Sequence, residues 1–179
     1  MTLTVRTATP ADARAIATIR IRTWRAAYAG LIEDTVLAAM DVDREAARRA
    51  DLWDEYHRDP RGGDLLAEDD ATPVGWASYG PSREAEGEGE LYALNALPER
   101  WSSGVGHALI AEVERALRSG GFTTAHLWVL EGNERAASFY ERHGWVEDGA
   151  TKDDVRDTAP GRPGYVLRER RRVRDLASG

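Results

Sequence analysis

Hydrophobic and polar residues alternate through Leu3-Thr4-Val5-Arg6-Thr7, the period of a strand with one buried face. Thr9-Pro10-Ala11-Asp12 then carries the marks of a helix start: a capping threonine, a proline in the first turn and an aspartate three residues past the cap. Ala13, Ile16, Ala17, Trp24, Ala27 and Tyr28 follow at helical spacing, and Gly30 supplies a stop. Further helices are expected over residues 34–40 and 43–57, before Pro60-Arg61-Gly62-Gly63 breaks the pattern. Residues 64–68 and 73–80 read as strands. The tight connection Asp69-Asp70-Ala71-Thr72 makes them an antiparallel hairpin, and a third strand covers 88–97.

The second half alternates differently. Leu109, Ile110, Val113, Ala116 and Leu117 share one face of a helix over 104–118, which Gly120-Gly121 ends. A strand rich in β-formers runs over 122–130. Asn133 then caps a short helix with Ala136, Phe139 and Tyr140 inward, and Gly144 closes it. Residues 145–147 and 164–168 read as short strands, 148–163 as a polar loop, and 168–174 as a solvated basic end. Antiparallel strands followed by α/β alternation imply an α/β domain over 1–179, one mixed sheet with helices on both faces.

Composition narrows the function. The 179 residues hold an apolar fraction of 42% and no cysteine, which excludes disulfides, zinc-thiolate sites and a cysteine nucleophile. No apolar run approaches the roughly 20 residues that cross a bilayer, and no signal peptide is visible, so no membrane partner and a cytoplasmic location are expected. The net charge of −7 disfavours a nucleic-acid partner, which calls for a basic face. It would instead attract a cationic amine weakly at long range. His57, His107, His126 and His143 show no metal-ligand spacing, so no metal is assigned.

The stretch Leu94-Asn95-Ala96-Leu97-Pro98-Glu99-Arg100-Trp101-Ser102-Ser103-Gly104-Val105-Gly106-His107 places a strand end, a turn and glycines at a helix start. Unpaired amides and the helix dipole at such a start favour a phosphate, and glycine lets backbone approach it. A dinucleotide fingerprint would need glycine at Leu109, and a P-loop would need Gly-Lys-Ser/Thr. A plain strand–turn–helix fits the same residues, so this stretch alone leaves both readings open.

Asn133-Glu134-Arg135-Ala136-Ala137-Ser138-Phe139-Tyr140-Glu141-Arg142-His143-Gly144-Trp145 shifts the balance toward a ligand site. It resembles the Asn-x-x-Ala-x-x-Phe-Tyr-x-x-x-Gly-aromatic stretch of the GNAT superfamily of N-acetyltransferases. The Gly104-Val105-Gly106 turn is similar to that family's pyrophosphate loop, and residues 7–12 and 24–30 to its opening strand and helix. The resemblance implies a centrally splayed sheet, acetyl-CoA as co-substrate and a small-molecule or peptide amine as acceptor. It assigns coenzyme contacts to Asn95, Ala96, Leu97, Trp101, Ser102, Ser103, Gly104, Val105, Gly106, His107, Asn133, Ala136 and Tyr140. Trp101 departs from the usual Arg/Gln, and Ser102-Ser103 from Gly-Arg/Lys. The loop therefore lacks a cation, and binding is expected to lean on backbone donors and two hydroxyls.

Acyl transfer to an amine needs a proton removed, an oxyanion met and a thiolate protonated. The resemblance makes Tyr140 the acid and Glu90 the base, directly or through a water. An amide near Ala96, where the family's strand splays with a bulge, would meet the oxyanion. Period-two geometry would set Glu90, Tyr92, Leu94 and Ala96 on one face; Glu86, Glu88 and Glu90 read equally well as a solvated acidic edge. Trp24, Tyr28 and Tyr92 are candidates for the acceptor pocket. A catalytically silent CoA-binding regulatory module is the alternative function, and a two-fold homodimer is the commonest assembly for such chains. An RNA-directed acyltransferase toxin fits the acidic balance poorly.

Overall fold

The structure, a computed structural model, describes residues 2–156 and 165–177. Strand β1 (Leu3–Thr7) leads through a short 3₁₀ turn into helix α1 (Ala13–Ala27). The side chain of Asp12 accepts from the Thr9 amide at 2.8 Å, so the expected helix start forms as a capping box. Helix α2 (Asp34–Ala38) follows, then α3 (Val42–Asp51) and a single turn α4 (Trp53–Tyr56). The helix expected over 43–57 is thus broken at Leu52, beyond which Trp53 turns into the core.

Strands β2 (Gly63–Asp69), β3 (Thr72–Pro81) and β4 (Gly89–Ala96) form an antiparallel set with β1. Helix α5 (Val105–Ser119), strand β5 (Thr124–Leu130) and helix α6 (Glu134–Arg142) come next, and β6 (Val146–Arg156) pairs with β7 (Tyr165–Asp175) at the end. The seven strands lie in the order β1-β2-β3-β4-β5-β7-β6. Strand β5 runs parallel to β4, and β7 is inserted antiparallel between β5 and β6.

Two expectations are corrected at this end. Residues 148–156 are strand instead of loop, and 168–174 lie inside β7 instead of forming a solvated end; the remainder of the expected loop, with Gly164, lies outside the described residues. Charge pairing across the strands explains how such polar segments form a ladder. Arg168 meets its register partner Asp153 at 2.9 Å, Arg170 meets Glu131 at 2.6 Å and Glu147 at 2.9 Å, and Arg171 meets Asp148 at 2.6 Å. Each positive residue of β7 that reads as tail has an acidic partner remote in sequence.

The sheet is covered on both faces. Helix α1 packs on β3 and β4, while α5 packs on β1 to β4. Successive strand residues show that these are opposite faces: Gly75 faces Val105 and Leu109 of α5, and its neighbour Trp76 lies beneath Arg49 of α3. The core between sheet and α5 includes Ala77, Leu109, Ile110, Val113 and Leu117, all essentially inaccessible. A second cluster of Ile32, Leu37, Leu130 and Leu167 sits under α2 and supports Trp24 and Tyr28. Among the described residues no helix is long and apolar enough to cross a membrane.

Gly75 fixes how closely the start of α5 approaches the sheet. A Cβ there would lie 2.5 Å from Val105 Cγ1 and 3.0 Å from Leu109 Cδ1. Gly75→Ala is therefore expected to destabilise the fold by about 1–3 kcal/mol through overpacking. Urea denaturation tests this: the midpoint should fall at unchanged slope, and an unchanged midpoint would show that α5 can shift freely.

Candidate active site

Strands β4 and β5 share a ladder only at Gly89–Ala125 and Glu90–His126, and then diverge. The wedge opens into a cleft of about 1000 Å³ lined from β4 by Leu91 to Ala96 and from β5 by Leu127 to Leu130. The Leu97 amide donates to Val74 of β3 at 2.9 Å. By the alternation of an antiparallel ladder, the amides of Leu94 and Ala96 point instead into the wedge, where no strand meets them. The Ala96 carbonyl on that edge accepts from the buried Thr23 hydroxyl and from the Trp101 indole N–H, each at 2.9 Å.

The phosphate-type turn stands at the mouth of this wedge. Gly104, at φ +94°, holds the left-handed conformation that glycine adopts without strain, and caps α5 with no side-chain bond to the first-turn amides. The first helical bond runs from the Ala108 amide to the Gly104 carbonyl, so the amides of Val105, Gly106 and His107 precede any intrahelical partner. Ser102 is also left-handed, at φ +62°, and borders the cleft. Ser103 does not: its hydroxyl donates to the Arg100 carbonyl at 2.7 Å, so one of the two expected hydroxyls is already used.

Trp101 changes the expectation of a turn without a cation. Its ring carries the guanidinium of Arg135, 4.1 Å from the ring centroid, while its indole N–H ties the turn to β4. Arg135 and Arg142 of α6 both border the cleft. The positive charge thus comes from a neighbouring helix and is positioned by the tryptophan. His107 and His143 meet beside it, with Nδ1 of the first 3.0 Å from Nε2 of the second.

Helix α6 places Tyr140 inside the cleft. Asn133 caps the helix by accepting the Ala136 amide at 3.2 Å. Tyr140 is 8% exposed and has no hydrogen-bond partner for its hydroxyl among the described residues. Burial, and then the proximity of Tyr28, push its pKa well above the ordinary phenol value. Tyr28 stands edge-on to Trp24 at 4.9 Å, and both line the same cavity.

Glu90 is neither a solvated edge nor an open base. It is 1% exposed, accepts from the Arg83 amide at 3.0 Å and Nε at 3.2 Å, and pairs with the Arg83 Nη2 as well. His126 Nε2 stands 3.9 Å behind it, and His126 Nδ1 is 3.0 Å from Glu88. Arg83 borders the cleft, whereas Glu90, Leu97 and Val105 do not; of these, Val105 is available through its amide alone. The expected bulge near Ala96 lies instead at Tyr92, where the register steps from Ser78–Ala93 to Tyr79–Leu91. This extra residue resets the alternation: Glu90 shares a face with Ala93 and Asn95, not with Leu94 and Ala96. Tyr92 remains in the cleft, its hydroxyl donating to the Pro81 carbonyl.

Comparison with known proteins fits this geometry. The family model described as the acetyltransferase (GNAT) family matches residues 16–145. The chain belongs to the GNAT acetyltransferase family. It is 33% identical over 144 residues to an uncharacterized N-acetyltransferase, YuaI, of Bacillus subtilis, covering 79% of each chain. It is 36% identical over 118 residues to a mycothiol acetyltransferase of Acidimicrobium ferrooxidans, matching 65% of this chain but 36% of that longer protein. In fold it is similar to the PaiA N-acetyltransferase of Thermoplasma acidophilum solved with coenzyme A, at TM-score 0.72 and 19% identity over 98% and 99% of the two chains.

The GNAT cleft gathers all but a few of the residues expected from sequence, and adds Thr23, Arg83, Arg135 and Arg142 from elements distant in the chain. Among the described residues no group of three or more acidic or histidine side chains could hold a metal. Tyr92 is pushed up to about 12 by burial and then by the charge on Glu90, and Tyr79 and Tyr140 are raised by burial as well. The unfolded chain ionises these phenols first, near pH 10, so their contribution is complete below that pH and lost as pH climbs through the folded values. Denaturation midpoints are expected to fall steadily from about pH 10 to 12, and a flat profile would contradict the buried positions.

Proposed function

We propose that this GNAT acyltransferase moves an acetyl group from acetyl-CoA directly to a primary amine, both substrates being bound together. The observation that carries this reading is the meeting of the open α5 turn, the unpaired edge of β4 and the Tyr140 hydroxyl in one cavity. The coenzyme pyrophosphate would take the amides of Val105 to His107, with Arg135 beside them. The pantetheine arm would run along β4 in place of the missing strand, and the Ala96 amide would meet the thioester oxygen.

The chemistry then follows. The amine nitrogen attacks the thioester carbon, forming the N–C bond and placing charge on the oxygen; collapse breaks the C–S bond and expels the thiolate. The proton lost by the amine leaves through water to Glu90, and Tyr140 donates to the departing sulfur. Burial raises the phenol, which keeps it protonated throughout the working range, and raises a thiol in the same cavity likewise, so donor and acceptor move in the same direction. The enclosure of Glu90 by Arg83 favours a water-mediated path over direct contact. It is also the one observation on the side of a silent CoA-binding module, and thiol release with an amine panel separates the two.

Tyr140→Phe is expected to lower kcat by about 10²–10⁴ while leaving the KM for acetyl-CoA close to its original value. Unchanged turnover would remove Tyr140 as acid. Arg135→Gln should weaken CoA binding about tenfold at low salt and less at high salt, as read by calorimetry. Equal binding at every salt concentration would show that the stacked arginine does not meet the phosphates.

A further inference from the structure

Although the chain carries a net charge of −7, one end of the cleft is cationic. Arg20, Arg48 and Arg49 line it beside Glu45 and Asp64. Arg20 is matched by Glu45 at 2.8 Å. Arg49 meets Asp64 at 3.0 Å and also feels the charge of Glu45. Arg48 projects from α3 into solvent with no ion-pair partner among the described residues.

Arg49 is largely withdrawn from solvent and incompletely satisfied. Its side chain is 12% exposed, it gives Nη1 to Asp64 at 3.0 Å, and its Nε is buried without a partner. The guanidinium lies 4.5 Å from the ring centroid of Trp76, whose Nε1 is also buried without a partner. Asp64 is 2% exposed and also faces His57 Nε2 at 3.5 Å, so it has little more to give. Burial acts to lower the Arg49 pKa and Asp64 offsets part of this, yet a guanidinium stays charged at any working pH. A buried cation with unmet donors is costly, and a planar oxyanion is the group that fits its fork.

We infer that this end of the cleft is an anion subsite, and that the acceptor is a small amine bearing a carboxylate or an equivalent anionic group. Its use in acyl transfer rests on the function proposed above; the subsite itself rests on Arg49, Arg48 and their surroundings. Trp76 pairs with Asn95 across β3 and β4, next to Ala96. The anion would therefore sit within roughly 10 Å of the wedge edge, one strand spacing plus one stacking distance, which suits a molecule of amino-acid size. A polyamine would meet like charge here. The same arginines disfavour the ammonium form of the bound amine, so they favour the free base that attacks.

The test uses the full chain, the common α-amino acids and their carboxamides. Thiol release at saturating acetyl-CoA and calorimetric binding to the CoA-loaded protein are both measured. At least one amino acid should exceed its own amide tenfold or more in kcat/KM and in affinity. Arg49→Gln should bring that ratio close to one, with Arg48→Gln reducing it less; Arg48 is exposed, so its variant remains informative if the buried one misfolds. Amides turned over as well as acids, or an undiminished preference in both variants, would overturn the subsite while leaving acyl transfer standing. If no acyl-CoA binds, the enzymatic reading fails, and the calorimetric preference for carboxylate over amide in the free protein decides the subsite on its own.

Discussion

Everything in the cleft depends on two parallel strands that begin as neighbours and then part. Main-chain amides in a sheet seek partners, and an unpaired buried edge is costly. Strand β4 is nonetheless left open beyond Glu90, because both ends of the wedge are held. At the closed end, His126 and Glu90 fill the junction, with Arg83 bonded to Glu90 and Glu88 to His126 Nδ1. At the open end, Thr23 and Trp101 satisfy the Ala96 carbonyl that a neighbouring strand would otherwise take. The amides between these anchors have no such substitute, and a linear molecule with amide carbonyls is the natural replacement.

The bulge at Tyr92 makes that arrangement compatible with a packed sheet. It advances β4 by one residue against β3, so Glu90 and Asn95 come to the same face although five positions separate them. Glu90 is thereby placed against Arg83 and His126, behind the wall of the cleft, while Leu94 turns toward α5. The same tight layering brings α5 against β3 at Gly75 and presents the first-turn amides at the mouth of the wedge. Fold and site are in this sense one construction: moving α5 outward would withdraw its dipole from the edge it complements.

Much of this was legible in the chain wherever the signal is local. The capping threonine, the Asn133 cap, the stop at Gly144 and the turn around Gly104 each lie within a few residues of what they control, and each forms as their chemistry dictates. Contacts between distant elements were not legible. Trp101 reads as a defect in the turn until Arg135 of α6 is found stacked on it. The β6–β7 segment reads as loop and tail because its stabilising charges pair across the sheet, not along the chain. Glu90 reads equally as a base or as part of a solvated acidic edge until Arg83 is found covering it, and the importance of Arg49 emerges only from its place beside Asp64 and Trp76. A period-two pattern cannot reveal a one-residue bulge, since apolar and polar residues fit either phase over so short a strand.

The most direct test is amide hydrogen exchange with and without acetyl-CoA. Slowed exchange concentrated at Leu94, Ala96 and Val105 to His107 is expected, because these amides gain acceptors only from the coenzyme. Coenzyme binding that leaves those amides exchanging as before, with protection elsewhere, would contradict the central claim that the parted strand and the open helix start together form the acyl-carrier site.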